Sequence, residues 1–408
     1  MSTTSRATEL STKLVELDAG QTAYASRFVD LLLDGAQAVG ASDVHLQPTA
    51  TGLEVCWRLD GVLQKVGVFS PGDTADVVAR LKVLAELLTY RTDVPQEGRL
   101  RERHGTTEIR VSTLPTLHGE RAVVRLFAAE DQFLFIDDLG LPAEDVGGLS
   151  ELLMETSGAI VITGPAGSGK TTLAYACLRE LVRRSAGGQS IVSLEDPIEV
   201  AVAGVAQSQV HASSGFNLAS GLKSLLRQDP EVILVGEIRD RETAEGVFQA
   251  SLTGHLVVTT FHAGSAAEAI SRLGDMQIEP YQLRSGILAI VSQRLVRRLC
   301  DCALEIASDE RKLGLPVALA KEAAGCEFCL ETGYVGRLVL AEMLRPEPSR
   351  LGREILSLTD SPRLEELAVD SGMTTIWQRG CEAVEIGATS PAEIRRVLGF
   401  ADRRRGSK

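Results

Sequence analysis

The run Gly164-Pro165-Ala166-Gly167-Ser168-Gly169-Lys170-Thr171 reads G-x-x-x-x-G-K-[ST], a spacing suited to gripping a phosphate chain. Glycines let the backbone curl around an anion, so that successive N–H groups and the N-terminus of the next helix point at its oxygens. Lys170 adds a mobile positive charge for the β- and γ-phosphates, the Thr171 hydroxyl is placed to ligate Mg²⁺, and Thr172 follows at the start of the helix. The pattern predicts binding of ATP with Mg²⁺. Further along, Glu195 and Asp196 in Ser193-Leu194-Glu195-Asp196-Pro197-Ile198-Glu199 end an apolar run, where they could hold Mg²⁺ or its waters. Val232-Ile233-Leu234-Val235 leads to Gly236-Glu237, the outline of a Walker B strand in which the usual metal-holding Asp is Gly236. On this reading Glu237 orients the attacking water and the metal duty shifts towards Glu195. His255 and His262 bracket Leu256–Thr260, either as two structural histidines or as a relay sensing the γ-phosphate.

These residues need a scaffold that delivers them to one edge. Ala159–Thr163 is an apolar strand before the Gly-rich loop, and Thr172–Leu181 has helical spacing after it. Short Val/Ile/Leu-rich runs recur at 159–163, 190–194, 231–235 and 256–260, alternating with helical segments, which is the signature of a parallel sheet covered on both faces. The earlier part reads differently. Residues 1–20 are a Thr/Ser-rich lead-in expected to fray. An amphipathic helix begins near Gln21 and ends near Gly40; strands are expected at 44–48, 53–59, 108–112 and 122–127, with a helix over roughly 74–90. This makes an α+β domain over 21–127, a linker over 128–144 and an α/β domain over 145–408, whose last hundred residues read as helices around a cysteine-bearing insertion near 299–332.

The 408 residues carry a net charge of −13, which disfavours an extended basic face wrapping nucleic acid, so no direct nucleic-acid partner is expected. No secretory h-region opens the chain and no apolar run reaches the roughly 18 residues of a membrane span. A cytoplasmic location is therefore expected, with membrane association borrowed from a partner. Seven cysteines are too many by one for a simple disulfide framework; Cys56, Cys177 and Cys381 are isolated, and the other four cluster.

The combination GPAGSGKTT, SLEDPIE, LLRQDPEVILVGEIRD and TGHLVVTTFHAG resembles the secretion-ATPase family of type II secretion and type IV pilus assembly, with its Walker A, Asp box, Walker B and His box in order. The earlier domain matches as well, in Ser42-Asp43-Val44-His45, Arg58–Leu63, Pro95–Arg99, Arg110–Thr116 and His118–Arg121. The resemblance implies a RecA-like P-loop ATPase domain preceded by a smaller PAS-like α+β domain. It further implies a homo-hexameric ring at the cytoplasmic side of the inner membrane, working with a membrane platform protein as an ATP-driven motor. Taken alone, Arg110 and Arg125 are outward members of strands; the resemblance makes them the arginines that meet the phosphates.

Three departures from the family pattern stand out. The family's extra N-terminal domain is missing or reduced to residues 1–20. Ala166 and Phe261-His262-Ala263-Gly264 replace more usual residues. Cys300-Asp301-Cys302 stands where assembly ATPases carry a Cys-x-x-Cys, followed by Cys326-Glu327-Phe328-Cys329. Four thiolates form a structural zinc set, or else a remnant with reduced thiols; the Cys-x-Cys is one residue tighter than the ideal knuckle. Retraction ATPases lack the cysteines, so the cluster favours the assembly or secretion branch. Two alternatives stay open: a competence or DNA-transfer pilus motor, and a non-hydrolysing ATP-gated scaffold of the same complex.

Overall fold

In a computed structural model of the chain, the described residues are 10–18, 21, 23–69, 74–100, 109–126, 133–211, 214–346, 350–357 and 360–400. The chain divides into two compact units. One takes the residues up to Glu130 with Arg297–Glu305 and Glu322–Gly336; the other takes Asp131–Val296, Ile306–Lys321 and the rest from Arg337. The two inserted stretches carry the four clustered cysteines into the first unit.

The first unit begins with α1 (residues 10–15) and α2 (Tyr24–Ala38). Leu10 and Leu14 are buried with Phe28, Leu32 and Trp57, so this part of the expected lead-in is pinned by core packing rather than frayed. Strands β1 (Asp43–Thr49), β2 (Gly52–Leu59), β3 (Val62–Phe69), β4 (Gln96–Leu100), β5 (Ile109–Thr116) and β6 (Gly119–Leu126) form one sheet in the order β3-β2-β1-β6-β5-β4. Helix α3 (Thr74–Leu84) falls between β3 and β4. Alternation decides the faces. Val44, Leu46, Val55, Trp57, Ile109, Val111 and Val124 enter the core, and the residues between them face the other way.

The second unit holds a seven-stranded sheet, order β15-β12-β7-β11-β10-β8-β9. Its members are β7 (Gly158–Thr163), β8 (Ile191–Glu195), β9 (Ala206–Gln209), β10 (Val232–Val235), β11 (Leu256–Phe261), β12 (Ile287–Leu299) and β15 (Tyr334–Leu344). The pairs β12–β7, β7–β11, β11–β10, β10–β8 and β8–β9 are parallel. Helices α4 (Ala143–Leu152), α5 (Lys170–Ser185), α6 (Leu218–Leu225), α7 (Arg241–Leu252), α8 (Ala266–Asp275) and α9 (Pro280–Gly286) connect the strands. A small ribbon, β13 (Leu304–Glu305) with β14 (Lys321–Glu322), interrupts the path from β12 to β15.

Both faces of this sheet are covered, and the sequence alternation shows how. Ala159, Val161, Ile233, Val235 and Val257 join one core, while Ile160, Ile162, Val232, Leu234 and Val258 join the other. All six residues of β7 are buried, and each fully buried Ile or Val contributes roughly 1.5–3 kcal/mol. The expected linker is only partly one: residues 127–132 lie outside the described residues, but Ile136 and Leu141 are core members. Beyond β15 the chain ends in α10 (Arg350–Leu356), α11 (Ser361–Asp370), α12 (Ile376–Glu385) and α13 (Pro391–Leu398). The expectation of helices alone in this region is corrected by β15. Glu342 on that strand is buried and accepts from the amides of Ala266 (2.8 Å) and Ile376 (3.0 Å), the first residues of α8 and α12. Its charge therefore meets the positive ends of two helices.

Candidate active site

The loop from β7 to α5 has the geometry its glycines require. Gly164, Gly167 and Gly169 sit at φ of 148°, 74° and 88°, where a side chain is strained. Space is short as well. A Cβ on Gly164 would stand 2.5 Å from Ser168 Oγ and 2.6 Å from the Gln293 carbonyl oxygen, and one on Gly169 would stand 2.8 Å from Gln293 Nε2. Gln293, buried on β12, donates from that Nε2 to the Ser168 carbonyl at 2.6 Å and so ties the loop to the sheet. Pro165, Ala166 and Gly167 form the exposed crest, Ser168 is buried, Thr171 is half-buried and Thr172 is exposed. Lys170 opens α5 and its Nζ donates to the carbonyls of Gly164 (2.9 Å) and Pro165 (3.1 Å), across the mouth of the loop. Burial pulls the Lys170 ammonium below its usual range, helped by Arg294 and opposed by Glu237 and Glu199.

Parallel strands put the other groups on the same edge. Glu237 follows β10, where the Gly236 amide donates to the Leu194 carbonyl (2.9 Å) and Thr260 Oγ1 donates to the Gly236 carbonyl (2.7 Å). A Cβ on Gly236 would stand 3.3 Å from the Glu195 Cα, so this position is crowded by the neighbouring strand end. Glu237 Oε1 lies 2.6 Å from His262 Nε2, and Oε2 accepts from Arg239 Nε at 2.7 Å. His262 Nδ1 lies 3.2 Å from the Gly164 carbonyl oxygen and 3.5 Å from Lys170 Nζ. Arg239 Nη1 donates to Asp196 Oδ2 at 2.9 Å. One continuous polar chain thus joins the loop, His262, Glu237, Arg239 and Asp196.

Two expected members fall elsewhere. His255 precedes β11, its carbonyl accepting from the Gly158 amide (3.1 Å) at the opposite end of β7 from the loop. Six residues of strand separate the two histidines, on the order of 20 Å. His255 Nδ1 instead faces the Ala250 carbonyl at 3.1 Å, so of the two histidines only His262 stands by the loop. Glu195 is 3% exposed. Its carboxylate accepts from Tyr175 Oη, from Ser193 Oγ at 2.5 Å and from Gln207 Nε2 at 3.1 Å. Burial, with Glu195 beside it, pushes the Tyr175 phenol up, so Tyr175 remains a donor. These three bonds brace β8 against α5 and β9, and the metal duty expected of Glu195 would have to compete with them. Sequence reasoning missed Gln293, Tyr175 and Arg239 as site members. It also missed Arg294, whose Nη2 donates to the Gly264 carbonyl at 2.6 Å and holds the loop after His262.

In the first unit, Arg110 and Arg125 stand directly opposite each other on β5 and β6. Arg110 is half-buried; Arg125 is 62% exposed and donates from Nε to Asp43 Oδ1 at 3.0 Å. The four sulfurs of Cys300, Cys302, Cys326 and Cys329 lie within 4.8 Å of one another. The separations 300–326 and 302–329 are 3.8 Å, and 326–329 is 3.7 Å. A tetrahedron with Zn–S bonds of about 2.3 Å has edges of about 3.8 Å, whereas a disulfide needs about 2.05 Å. The amides of Cys326 (3.1 Å) and Gly333 (3.2 Å) donate to Cys329 Sγ, as a thiolate ligand would require. The cluster is compatible with a structural zinc, and the tight Cys-x-Cys does not prevent the four sulfurs from converging.

The family model described as type II/IV secretion system protein matches residues 18–396. The chain belongs to that family. A relative from Vibrio cholerae, the type II secretion system ATPase E, is 38% identical over 380 residues, covering 91% of this chain and 75% of its own length. The type IV pilus assembly ATPase PilB of Thermus thermophilus is 36% identical over 381 residues, covering 91% of this chain and 42% of its own length. Among solved structures, the Legionella pneumophila ATPase DotB superposes with a TM-score of 0.66 at 22% identity, covering 93% of this chain and 97% of DotB, a likeness of fold. In this secretion-ATPase chain the α/β unit with its phosphate loop is the ATPase core, and ATP with Mg²⁺ is what such a core takes. No helix among the described residues is long and apolar enough to cross a membrane.

Proposed function

We propose that this chain is the ATP-hydrolysing motor subunit of a type II secretion or type IV pilus assembly machine, working as a homo-hexamer against a membrane platform protein on the cytoplasmic side. The polar chain from the phosphate loop through His262 to Glu237 carries the reading. The support is that the Glu237 carboxylate lies against His262, which in turn lies against the Gly164 carbonyl of the loop. Glu237 orients the attacking water and takes its proton; to do so, one oxygen exchanges its bond to His262 or Arg239 for the water. Lys170 swings from the loop carbonyls to the phosphate oxygens, a short movement about a mobile side chain. Mg²⁺ held through Thr171 would neutralise charge on the β- and γ-phosphates. Arg110 and Arg125 supply guanidinium charge that matters most as the phosphoryl group transfers.

The test is phosphate release by the assembled protein. Lys170→Ala should abolish turnover, and Glu237→Gln should retain bound ATP with turnover down by several orders of magnitude. Near wild-type release from Glu237→Gln would remove Glu237 from the chemistry, whereas no phosphate release from the wild-type assembly would turn the reading towards an ATP-gated scaffold.

A further inference from the structure

The polar face of the six-stranded sheet carries a transverse row. Strand register sets Arg99, Arg110, Arg125, Asp43 and Arg58 side by side on β4, β5, β6, β1 and β2. Neighbouring strands are about 4.8 Å apart, so three guanidinium side chains follow one another before a carboxylate breaks the run. Asp43 is 5% exposed and is the anion in this row. Its Oδ1 accepts from Arg125 Nε at 3.0 Å, its Oδ2 lies 3.4 Å from Arg58 Nε, and Ser42 Oγ donates to Oδ2 at 2.8 Å. Among the described residues the grip on Arg125 goes through Nε, which leaves its terminal Nη groups to a phosphate.

Two residues along β1, on the same face, His45 lies between Arg58 and one further guanidinium group, that of Arg121. Its Nδ1 is 3.1 Å from Arg121 Nη2 and its Nε2 is 3.4 Å from Arg58 Nη2. A guanidinium only donates, so the ring serves here through an unprotonated nitrogen, which accepts from Arg121. The surroundings favour that form: burial and Arg58 hold the ring below its usual range, Arg121 and Arg125 add to this, and Asp43 opposes it.

We propose that Asp43 and His45 are positioning residues for phosphoryl transfer: together they fix Arg58, Arg121 and Arg125, so that the arginine row presents one preset face to a nucleotide's phosphates. This rests on the reading that Arg125 acts on those phosphates. A group held in place before the reaction need not be reorganised during it, and displacement by about 1 Å can cost up to about 100-fold in rate.

The experiment is steady-state ATP hydrolysis by the assembled full chain with Mg²⁺. Asp43→Asn should lower kcat by about 10- to 100-fold with KM changed less than about twofold. The double variant Asp43→Asn/Arg125→Ala should be slower than Arg125→Ala by clearly less than the factor Asp43→Asn costs alone, because the part of Asp43's effect that acts through Arg125 is already lost. If Arg125→Ala is slow and Asp43→Asn is normal, or if the two losses multiply, the positioning role is overturned and the reading of Arg125 stands. If Arg125→Ala turns over normally, the reading falls and the inference with it. Should Asp43→Asn fail to fold, His45 supplies the second test. His45→Leu should lose kcat at constant KM and His45→Gln, which restores an acceptor, should recover most of it; a His45→Gln as slow as His45→Leu overturns the proposal.

Discussion

At the scale of single residues, His262 and His255 are chemically alike and separated by one strand, yet only His262 touches Glu237 and the phosphate loop. His262→Ala should therefore lower kcat for ATP by at least about tenfold, and His255→Ala should leave it within about twofold. Equal losses would show that the far end of β11 matters to the chemistry. Asp145 gives a second residue-scale test. It lies in the first turn of α4, 3.9 Å from Arg379, and burial pushes its carboxyl from 3.8 to about 6, with Arg379 opposing. A raised pKa means that the folded protein holds this proton more tightly than the unfolded chain does. The resulting stabilisation is complete below about 3.8 and lost as pH rises through about 6. Asp145→Asn, which does not ionise, should gain on the order of 1–2 kcal/mol in urea unfolding at pH 7.5 and almost nothing near pH 4. A gain independent of pH would place the effect outside this ionisation.

At the scale of elements, the four cysteine sulfurs converge with little regular structure around them. Cys300 directly follows β12, Cys302 lies on the next turn, and Cys326 to Cys329 form a short helical turn, with Leu330 and Glu331 in left-handed backbone after it. Protein purified without a His-tag should carry about one zinc per chain by elemental analysis, and Cys326→Ser should release it. A zinc content near zero in both would identify reduced, unmetallated thiols. The Gly-rich loop and the strands around it were legible because their chemistry is local: six buried residues, three glycines with positive φ, then a helix. β15 was not, since Leu-Val-Leu-Ala-Glu-Met-Leu suits a helix and only its place beside β12 makes it a strand. Gln293 was hidden by distance in sequence, acting on a carbonyl 125 residues earlier. The histidines could have been told apart, because parallel strands gather their functional groups at the C-terminal ends and His255 stands at the other end.

At the scale of the whole molecule, the motor reading requires neighbouring copies, because rotations in a closed ring let hydrolysis in one subunit reposition the next. Specific ATPase activity should rise with protein concentration, and Arg110→Ala should impair turnover far more than nucleotide binding. Constant specific activity in a preparation shown by light scattering to be monomeric would count against the ring. The clamping of the phosphate loop by β12 has a further consequence, for genetics. Every missense change at a glycine codon adds at least a Cβ, and at Gly164 that atom meets Ser168 and Gln293 at 2.5–2.6 Å, whereas at Gly147 on α4 it meets nothing within 4 Å. In a saturating screen for loss-of-function alleles, hits should pile up at Gly164 and be rare at Gly147, although a missense change adds a Cβ at both.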